Sequence, residues 1–339
     1  MLGVGLVGYG YWGPNLARNF SQQADCRLLM ICEQKQERAA IAARTYPATR
    51  VTADYQELLQ NDAIQAILIA TPVASHFSLA ESALRAGKDV LVEKPLTRTA
   101  AEARELIRIA GEKGRILAVD HTFLFTGAVR KIKEIVDSGE LGQIIYIDSI
   151  RINLGLFQPD VNVIYDLAPH DLSIVCHLLD QDPLTVRAMG SSHSHIGLEH
   201  IAYLHLEYPQ GLIAHFHLSW LSPVKIRRTV IGGMNKMIVY DDLEITEKVK
   251  IYDKGILVQE GDVDSIYRAR IDYRTGDMVA PKLMHREALN VEAEHFLSCL
   301  RNRSQPIADG QAGLRVVRIL EAAEISIKKN GAQVRLEDL

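Results

Sequence analysis

The chain has 339 residues, of which 47% are apolar and 24% are charged, and its formal net charge is −4. This length allows two domains with separate cores, and the composition lacks the low hydrophobicity of a disordered chain. The slight negative charge and a pI near 6.3 argue against a general nucleic-acid binder, so a small-molecule partner is expected.

The positions of the cysteines and the first residues of the chain indicate the cellular compartment of the protein. No C-x-x-C pair occurs, and scattered cysteines in an ordinary soluble composition are typical of reduced core thiols. The first residues enter a predicted strand without a basic leader, and no apolar run approaches membrane-spanning length. We therefore expect a cytoplasmic protein without a membrane partner. The cysteines are Cys26, Cys32, Cys176 and Cys299.

The first predicted strand, Gly3–Gly8, leads into the sequence GYGYWG, after which Pro14 opens a predicted helix. In this G-x-G-x-x-G pattern the glycines permit a tight turn and close approach of a pyrophosphate, and the helix N-terminus attracts phosphate. A second predicted strand, Arg27–Cys32, ends at Glu33, at the spacing of an acid that binds an adenosine ribose. The motif residues predicted to bind the cofactor are Gly8, Gly10, Tyr11, Trp12 and Gly13.

Glu33 bears on the choice of cofactor. A carboxylate at this position accepts hydrogen bonds from the ribose and repels a 2′-phosphate, which favours NAD over NADP. Two alternatives stay open: Glu33 could only cap the next helix, and Lys35 with Arg38 could tolerate the extra phosphate. We predict NAD as the cofactor, with NADP as the second choice.

Strands and helices continue to alternate up to residue 121. Five alternating strands indicate a doubly wound parallel sheet of the Rossmann type over residues 1–121, followed by a second domain over residues 122–339. The further strands are predicted at Gln65–Ala70, Asp89–Val92 and Arg115–Val119, and the helices at Ser75–Ala86 and Thr99–Lys113.

Polar residues follow the third and fourth strands, at the edge where ligands of an open parallel sheet bind. Thr71 and Pro72 end one strand, and the sequence DVLVEKPL places Glu93 and Lys94 at the end of the next. A lysine there can stabilise the alkoxide that develops on a substrate as hydride leaves carbon. We predict that these four residues lie beside the dinucleotide, although a solvated turn would also accommodate the lysine. His76, in the first turn of the next helix, either joins them or is a capping or surface histidine.

In the second domain, the sequence YDLAPHDLSI places Asp166 four residues before His170, near the start of a helix predicted to run to about Leu179. The positive helix N-terminus disfavours imidazolium, so His170 can accept a proton, and Asp166 could orient its ring. The alternative is an aspartate N-cap followed by an incidental histidine.

In the rest of the second domain, the spacing of apolar residues becomes that of β-strands. Strands separated by turns from Thr185 to about Val258 indicate a mostly antiparallel sheet packed on helices. His215 and His217 share a strand face with His205 possibly near, but we predict no metal site because no third ligand has recognisable spacing. Other predicted elements are the helices 126–138, 286–301 and 310–329, the last with Asp309 as N-cap, the strand 143–154, and a loop over 155–162 containing Pro159.

GYGYWG, ATPVASH, LVEKPL and the D-x-x-x-H of DLAPH together resemble the glucose–fructose oxidoreductase, inositol dehydrogenase and MocA family. The resemblance implies an NAD(P)-dependent oxidoreductase of sugars, polyols or sugar nucleotides. It also implies that Lys94, Asp166 and His170 form the catalytic group and that the chain forms a homodimer or homotetramer. Asp171 fits the family's H-D pair, but it points off the helix face of Asp166 and His170, so we expect a structural role for it.

Basic residues suggest the kind of substrate, because guanidinium binds phosphate bidentately. Arg227 and Arg228 alternate along one strand, so at most one can face the pocket, and a solvated strand is the alternative. The predicted substrate ligands are Arg151, Asn153, Lys225 and Arg227.

NLGLFQPDVNVIYDLAPHDLSI, VKIRRTVIGG and KMIVYDD are similar to the branch of the family that oxidises nucleotide-activated amino sugars at C3. This similarity implies a UDP-N-acetyl hexosamine or its uronic acid as substrate and a 3-keto sugar nucleotide as product. The alternatives are a dehydrogenase of a free polyol or aldose, and a non-catalytic regulator that senses NAD(H).

Overall fold

The computed structural model describes residues 1–155, 161–193, 197–253, 255–257, 272–274 and 276–339. The predicted loop over 155–162 lies partly outside these residues, and Pro159 lies wholly outside them. The N-terminal strands are β1 (Leu2–Val7), β2 (Cys26–Cys32), β3 (Arg50–Thr52), β4 (Ala66–Ile69), β5 (Asp89–Glu93) and β6 (Leu117–Asp120). The helices between them are α1 (Gly13–Ser21), α2 (Gln36–Thr45), α3 (Tyr55–Leu59), α4 (His76–Arg85) and α5 (Ala100–Lys113).

These strands form a parallel sheet in the order β3-β2-β1-β4-β5-β6, which confirms the predicted doubly wound fold. The prediction of five strands was wrong by one, because β3 has three residues and none of them is buried. A short edge strand of this kind gives no apolar run to detect. The order changes direction at β1 and β4, where an open α/β sheet binds its ligands.

Helix α5 shows how local sequence fixes the loop that carries Lys94. Thr99 accepts a hydrogen bond from the backbone N–H of Glu102, whose carboxylate accepts one from the backbone N–H of Thr99. This reciprocal cap places the N-cap five residues after Lys94 and starts the helix at Ala100. At the other end Gly114 adopts φ +60°, which ends the helix and turns the chain toward β6.

The second sheet has the order β16-β13-β12-β11-β7-β10-β9-β8-β17, in which only β7 and β10 pair in parallel. It confirms the predicted mostly antiparallel sheet. Its strands are β7 (Ile144–Leu154), β8 (Thr185–Ser191), β9 (Ile201–Glu207), β10 (Ile213–Ser219), β11 (Leu221–Gly233), β12 (Met237–Asp241), β13 (Val249–Tyr252), β16 (Met278–Val279) and β17 (Val334–Arg335). A separate ladder joins β14 (Gly255–Leu257) to β15 (Asp272–Arg274).

The remaining helices are α6 (Gly127–Asp137), α7 (Val163–Leu178), α8 (Ala288–Asn302) and α9 (Gly310–Lys328). Helix α7 is buried along most of its length and packs on β7, β9 and β10. Asp309 caps α9 by accepting a hydrogen bond from the backbone N–H of Ala312, as predicted.

The last helices return to the N-terminal sheet. Phe296 of α8 packs edge to face on Phe20 of α1, with 6.2 Å between the ring centroids. Leu289 and Ala293 belong to the same hydrophobic cluster, and α9 packs on α5. Residue 121 therefore separates the two sheets along the chain, while α8 joins the N-terminal core and α9 packs against both domains.

Across the residues that the structure describes, no helix combines the length and hydrophobicity needed to span a bilayer. All four cysteines are buried and free, as predicted for core thiols. Burial raises the pKa of Cys176 to about 11, which keeps that thiol protonated at neutral pH.

Candidate active site

The turn after β1 has the backbone geometry of a pyrophosphate site. Gly8 has φ +90°, and a Cβ there would lie 2.5 Å from the carbonyl oxygen of Ala70. A Cβ on Gly13 would lie 2.2 Å from the carbonyl oxygen of Gly8, so a larger residue does not fit at either position. Trp12 is the N-cap of α1 but makes no side-chain cap, which leaves first-turn N–H groups available to a phosphate.

Glu33 lies at the end of β2, beside this turn. One carboxylate oxygen accepts a hydrogen bond from the backbone N–H of Tyr9 at 2.7 Å, and the other accepts one from that of Lys35 at 2.8 Å. The carboxylate thus joins the turn to the start of α2, which is the position expected of a ribose ligand. Arg38 is exposed, and its Nη1 would lie 3.1 Å from a Cβ on Gly10, so a cation also borders the turn.

The two aromatic residues of GYGYWG have different positions. Tyr11 is 87% exposed, and its ring stacks on that of Trp12 with 6.5 Å between centroids. The indole Nε1 of Trp12 donates to the carboxylate of Asp120 at 2.6 Å. The turn is thereby attached to the carboxyl end of β6.

His76 joins the two loops that follow β4 and β5. Its Nδ1 lies 2.9 Å from the carbonyl oxygen of Pro95, and its Nε2 lies 2.8 Å from that of Thr71. His76 has 1% of its surface exposed, and Ser75 is the N-cap of α4. The alternative of a capping or surface histidine is therefore wrong. Burial also leaves almost no surface for direct contact with a cofactor, so the ring positions the loops instead.

The structure brings Lys94 and Asp166 together across the two sheets. The ammonium of Lys94 donates to the backbone carbonyl of Asp166 at 2.9 Å and lies 3.6 Å from its carboxylate. That carboxylate also accepts a hydrogen bond from the indole of Trp220 at 3.0 Å. Because only 13% of the Lys94 side chain is exposed, its charge is held at one point at the edge of β5.

His170 follows one helical turn after Asp166. Burial lowers the pKa of His170 well below its ordinary value, and the charges of Lys94, Arg151 and Arg227 lower it further. The imidazole is therefore neutral at pH 7 and can accept a proton. We expected Asp166 to orient the ring of His170. Its carboxylate instead contacts Trp220 and Lys94, so it orients the lysine.

The alternative role of Asp166 as the helix N-cap is wrong. Asn162 occupies the N-cap of α7, and its side chain accepts a hydrogen bond from the backbone N–H of Tyr165 at 3.1 Å. The carboxylate of Asp166 can therefore contact Lys94 and Trp220 from the first turn, where the helix dipole favours a carboxylate.

The environment of His170 includes a buried ion pair. Arg151 donates from Nε and Nη2 to the carboxylate of Asp171 at 2.9 and 2.6 Å, and the two side chains are 3% and 5% exposed. The Arg151 guanidinium lies 4.7 Å from the centroid of Phe123, whose ring lies 5.1 Å from that of His170. The structure does not support the predicted role of Arg151 as a substrate ligand, because its Nε and Nη2 donate to Asp171 and its side chain is 3% exposed.

The basic residues of β11 separate onto two faces. Arg227 pairs in register with Arg151, so the two side chains lie on one sheet face, and its charge lowers the pKa of His170. Arg228 donates to Asp241 instead. Exposed Lys225 borders a surface groove with Arg228 and Asp241, and none of Lys94, Asp166 or His170 lines that groove, so the structure does not support it as a substrate ligand.

Arg227 is only loosely held by the protein. Its Nη1 lies 3.5 Å from the carboxylate of Asp242, which also lies 3.3 Å from the ammonium of Lys248. The buried Nε of Arg227 has no hydrogen-bond partner among the described residues. Asn153 is half-buried and lies two residues after Arg151 on β7, hence on the same sheet face.

Carboxyl groups of Glu93, Asp120 and Glu292 adjoin the site, and of these only Glu93 was predicted from the sequence motifs. Glu93 and Asp120 are register neighbours, and burial raises the pKa of Glu93 to about 8. Glu292 of α8 is 2% exposed, and burial followed by the charge of Asp120 raises its pKa well above the ordinary value. Asp120 and His121 end β6 at the ligand edge, so the strand rule that selected Lys94 could also have selected them.

The histidines of the second sheet form an aromatic stack. The ring of Tyr203 lies 4.5 Å from that of His217 and 6.0 Å from that of His215, and His215 pairs in register with His205. Within the described part of the chain, no group of three or more His, Cys, Asp or Glu side chains has the arrangement of a metal site.

A glycine turn after β1, an acid after β2, a fixed lysine after β5 and a neutral histidine on α7 are the features expected of an NAD-binding oxidoreductase. The comparisons with known proteins agree: residues 2–121 match the model of the oxidoreductase family with an NAD-binding Rossmann fold, and residues 129–239 match that of the GFO/IDH/MocA C-terminal domain. An uncharacterised oxidoreductase of Escherichia coli is 30% identical over 244 residues, 68% of each chain. The chain belongs to the Gfo/Idh/MocA family.

Two relatives with known activities align along nearly the whole chain. The UDP-N-acetylglucosamine 3-dehydrogenase of Acidithiobacillus ferrooxidans is 28% identical over 333 residues, which cover 96% of this chain and 97% of the relative. Its solved structure has a TM-score of 0.82 and covers 97% of this chain and 98% of that one. An NAD-dependent scyllo-inositol 2-dehydrogenase of Bacillus subtilis is 26% identical, covering 99% of this chain and 95% of the relative.

Proposed function

We propose that this oxidoreductase oxidises a hydroxyl carbon of a nucleotide sugar, namely C3 of a UDP-N-acetyl hexosamine or its uronic acid, with NAD as hydride acceptor. The observation that carries the proposal is Arg227, a half-buried cation on the cleft face of β11 whose Nε has no hydrogen-bond partner among the described residues. A free polyol offers such a cation no charge, whereas a diphosphate does. The similarity to UDP-N-acetylglucosamine 3-dehydrogenase supports the same substrate class.

NAD supplies the hydride acceptor when it is bound, and Gly8, Gly13 and Glu33 are the residues that would hold it. His170 removes the proton of the substrate hydroxyl, which its neutral ring allows at pH 7. Lys94 donates a hydrogen bond to the same oxygen and stabilises the developing alkoxide. Asp166 and Trp220 hold the lysine in place through the contacts described above.

The experiment that tests the proposal measures NADH formation by the purified protein with UDP-N-acetylglucosamine, its uronic acid, the corresponding free sugars and myo-inositol. Each is paired with NAD and with NADP, and α-ketoglutarate is added in parallel to recycle tightly held cofactor. Turnover confined to the nucleotide sugars with NAD is the expected result. Equal turnover of the free sugars would contradict the proposal.

The same panel separates two other functions. The whole-chain similarity to scyllo-inositol 2-dehydrogenase favours a free polyol as the second candidate substrate, and activity on myo-inositol would identify it. A non-catalytic NAD(H) sensor would bind NAD and oxidise nothing. The buried placement of Lys94 against Asp166 argues against a sensor, because cofactor binding alone does not require it.

We also propose that residues 1–121 bind the dinucleotide and that residues 122–339 bind the sugar and mediate self-association in the cytoplasm. Large apolar side chains on one face of the neighbouring strands β8, β9 and β10 are exposed by 43 to 68%. An apolar patch of this kind on a sheet face is typical of a subunit interface. Replacing Tyr203 by Arg should lower the mass measured by light scattering, and an unchanged mass would contradict this interface. The patch comprises Met189, Tyr203 and Ile213.

A further inference from the structure

A polar cavity lies along α7 on the side of α6 and α9, and on α7 it begins at Ser173, three residues after His170. Its volume is about 250 Å³, and its lining includes His121, Ser173, His177 and Asp180. Asp180 is exposed, whereas His121 is 2% exposed, so the cavity extends from the surface to a buried histidine. A cavity of this size and polarity has room for several water molecules.

His121 is buried without any protein partner. Neither ring nitrogen has a hydrogen-bond partner within the residues that the structure describes. Burial and the charge of Lys94 lower the pKa of His121 to about 3, so the ring is neutral and presents one donor and one acceptor. Leaving both unsatisfied in the interior is costly, and water in the adjoining cavity can satisfy them.

Polar groups on α7 continue this connection between His170 and the surface. His170, Ser173 and His177 follow one another at spacings of three and four residues, which places them on one helix face. The hydroxyl of Ser173 donates to the backbone carbonyl of His170 at 2.8 Å. His177 is half-buried and is three residues from exposed Asp180, at the outer end of the cavity.

The other charged groups that face the cavity are already paired. Lys133 of α6 forms an ion pair with Asp137, and Arg315 of α9 donates to Asp182 at 2.5 Å. Cys176 also lines the cavity and is a protonated thiol at neutral pH because burial raises its pKa. None of these groups therefore presents an uncompensated charge to a proton that crosses the cavity.

We propose that the cavity holds a chain of water through which the proton taken up by His170 leaves for solvent, with His121 as the residue that positions this water. This inference rests on the proposed dehydrogenase function. For each substrate oxidised, the C–H electron pair and hydrogen leave as hydride to NAD, and the O–H proton passes to His170. That proton then passes through water to solvent, and His170 returns to its neutral form without any further oxidant.

The kinetic test uses His121→Phe, which removes both polar atoms and fills the cavity, together with His177→Gln at its outer end. His285→Gln, at an exposed histidine outside the cavity, is the matched control. With whichever sugar the wild type oxidises, we expect His121→Phe to lower kcat about 10-fold or more. KM for the sugar and Kd for NAD should stay within about 2-fold, because His121 faces the cavity and is 2% exposed, which leaves it almost no surface for either ligand.

A positioning role also predicts that a small proton carrier restores the lost rate. Raising imidazole at constant ionic strength should restore kcat of His121→Phe and of His177→Gln and leave the control unchanged. A wild-type kcat in both variants, or a loss that imidazole does not restore, would overturn the proposal.

A structural test does not depend on turnover. In a high-resolution crystal structure of the unmodified protein, ordered water should lie within hydrogen-bond distance of both ring nitrogens of His121 and continue toward His177. A dry cavity would overturn the proposal even if the enzyme is active. If no sugar is oxidised, the proposed function is wrong. The water positions in the crystal structure still decide whether the proposed chain of water exists.

Discussion

Arg227 provides the sharpest test of substrate class, because its neighbour Arg228 is a matched control on the same strand. Arg227 faces His170 and is held by one long contact to Asp242, whereas Arg228 donates two hydrogen bonds to Asp241 away from the catalytic group. We compare Arg227→Met with Arg228→Met, since methionine keeps much of the side-chain volume and removes the charge.

The expected effect follows from the loss of a charge-assisted hydrogen bond to a phosphate. Such a bond contributes about 1.5 to 3 kcal/mol, so kcat/KM for the nucleotide sugar should fall roughly 10- to 150-fold in Arg227→Met. The loss should appear mainly in KM, because the phosphate is remote from the reacting carbon. Arg228→Met should stay within about 3-fold of wild type, since an exposed surface ion pair contributes little.

The assay is steady-state NADH formation, with Kd for NAD measured in parallel to show that the cofactor site is intact. Equal losses in the two variants, or no loss in Arg227→Met, would refute the assignment of Arg227 to the substrate phosphate. A loss on free sugars as large as that on nucleotide sugars would also refute it, because a free sugar carries no phosphate.

Three further predictions concern the reaction, the cofactor and stability. Lys94→Ala and His170→Ala should each lower kcat about 100-fold or more while NAD binding, followed by calorimetry, is retained; near-wild-type rates would disprove their roles. Glu33→Gln should lower the ratio of NAD to NADP preference in kcat/KM, because it removes the charge that repels a 2′-phosphate while exposed Arg38 remains. An unchanged ratio would show that Glu33 does not select the cofactor. The raised pKa of Glu292 means that its protonated form is favoured in the folded chain. Its whole contribution to the free energy of unfolding is therefore present below the pKa that it has in the unfolded chain, and this contribution is lost as the pH rises toward its pKa in the folded chain. Glu292→Gln, which cannot ionise, should therefore raise the melting temperature more at pH 8 than at pH 4.5, and calorimetry showing equal shifts at both values would contradict this.

The parts of the site that follow strand ends were predictable from the sequence. A glycine turn after β1, an acid after β2 and a lysine after β5 are each positioned by the rule that parallel strands end at one edge of a sheet. The four-residue spacing of Asp166 and His170 likewise placed them on one helix face. The structure agrees with these placements because each depends on a single element and its direction.

The contacts between elements were not predictable in the same way. Asp166 contacts Lys94 and Trp220 instead of His170, because β5 and β10 end beside the first turn of α7. Arg151 and Asp171 form a buried pair although they are 20 residues apart and on different elements. Local sequence contains no signal for such long-range packing, and for the same reason it could not show that His76 is buried between two loops.

The small edge strand β3 was missed because its sequence, RVT, has only one apolar residue and no buried position. By contrast, β4 is buried on both faces and its sequence, AILI, is continuous apolar, which is why it was detected. A short strand can therefore be predicted from the sequence when both of its faces are buried, because only then does it form a continuous apolar run.

The most direct test of the central claim is the fate of the hydrogen at C3. UDP-N-acetylglucosamine carrying deuterium at C3 is incubated with the protein and NAD, and the reduced cofactor is examined by mass spectrometry and NMR. We predict that deuterium appears in the reduced nicotinamide and that the sugar product is the 3-keto nucleotide. Reduced cofactor without deuterium would show oxidation at another carbon, and the absence of any reduced cofactor while free myo-inositol is oxidised would contradict the account.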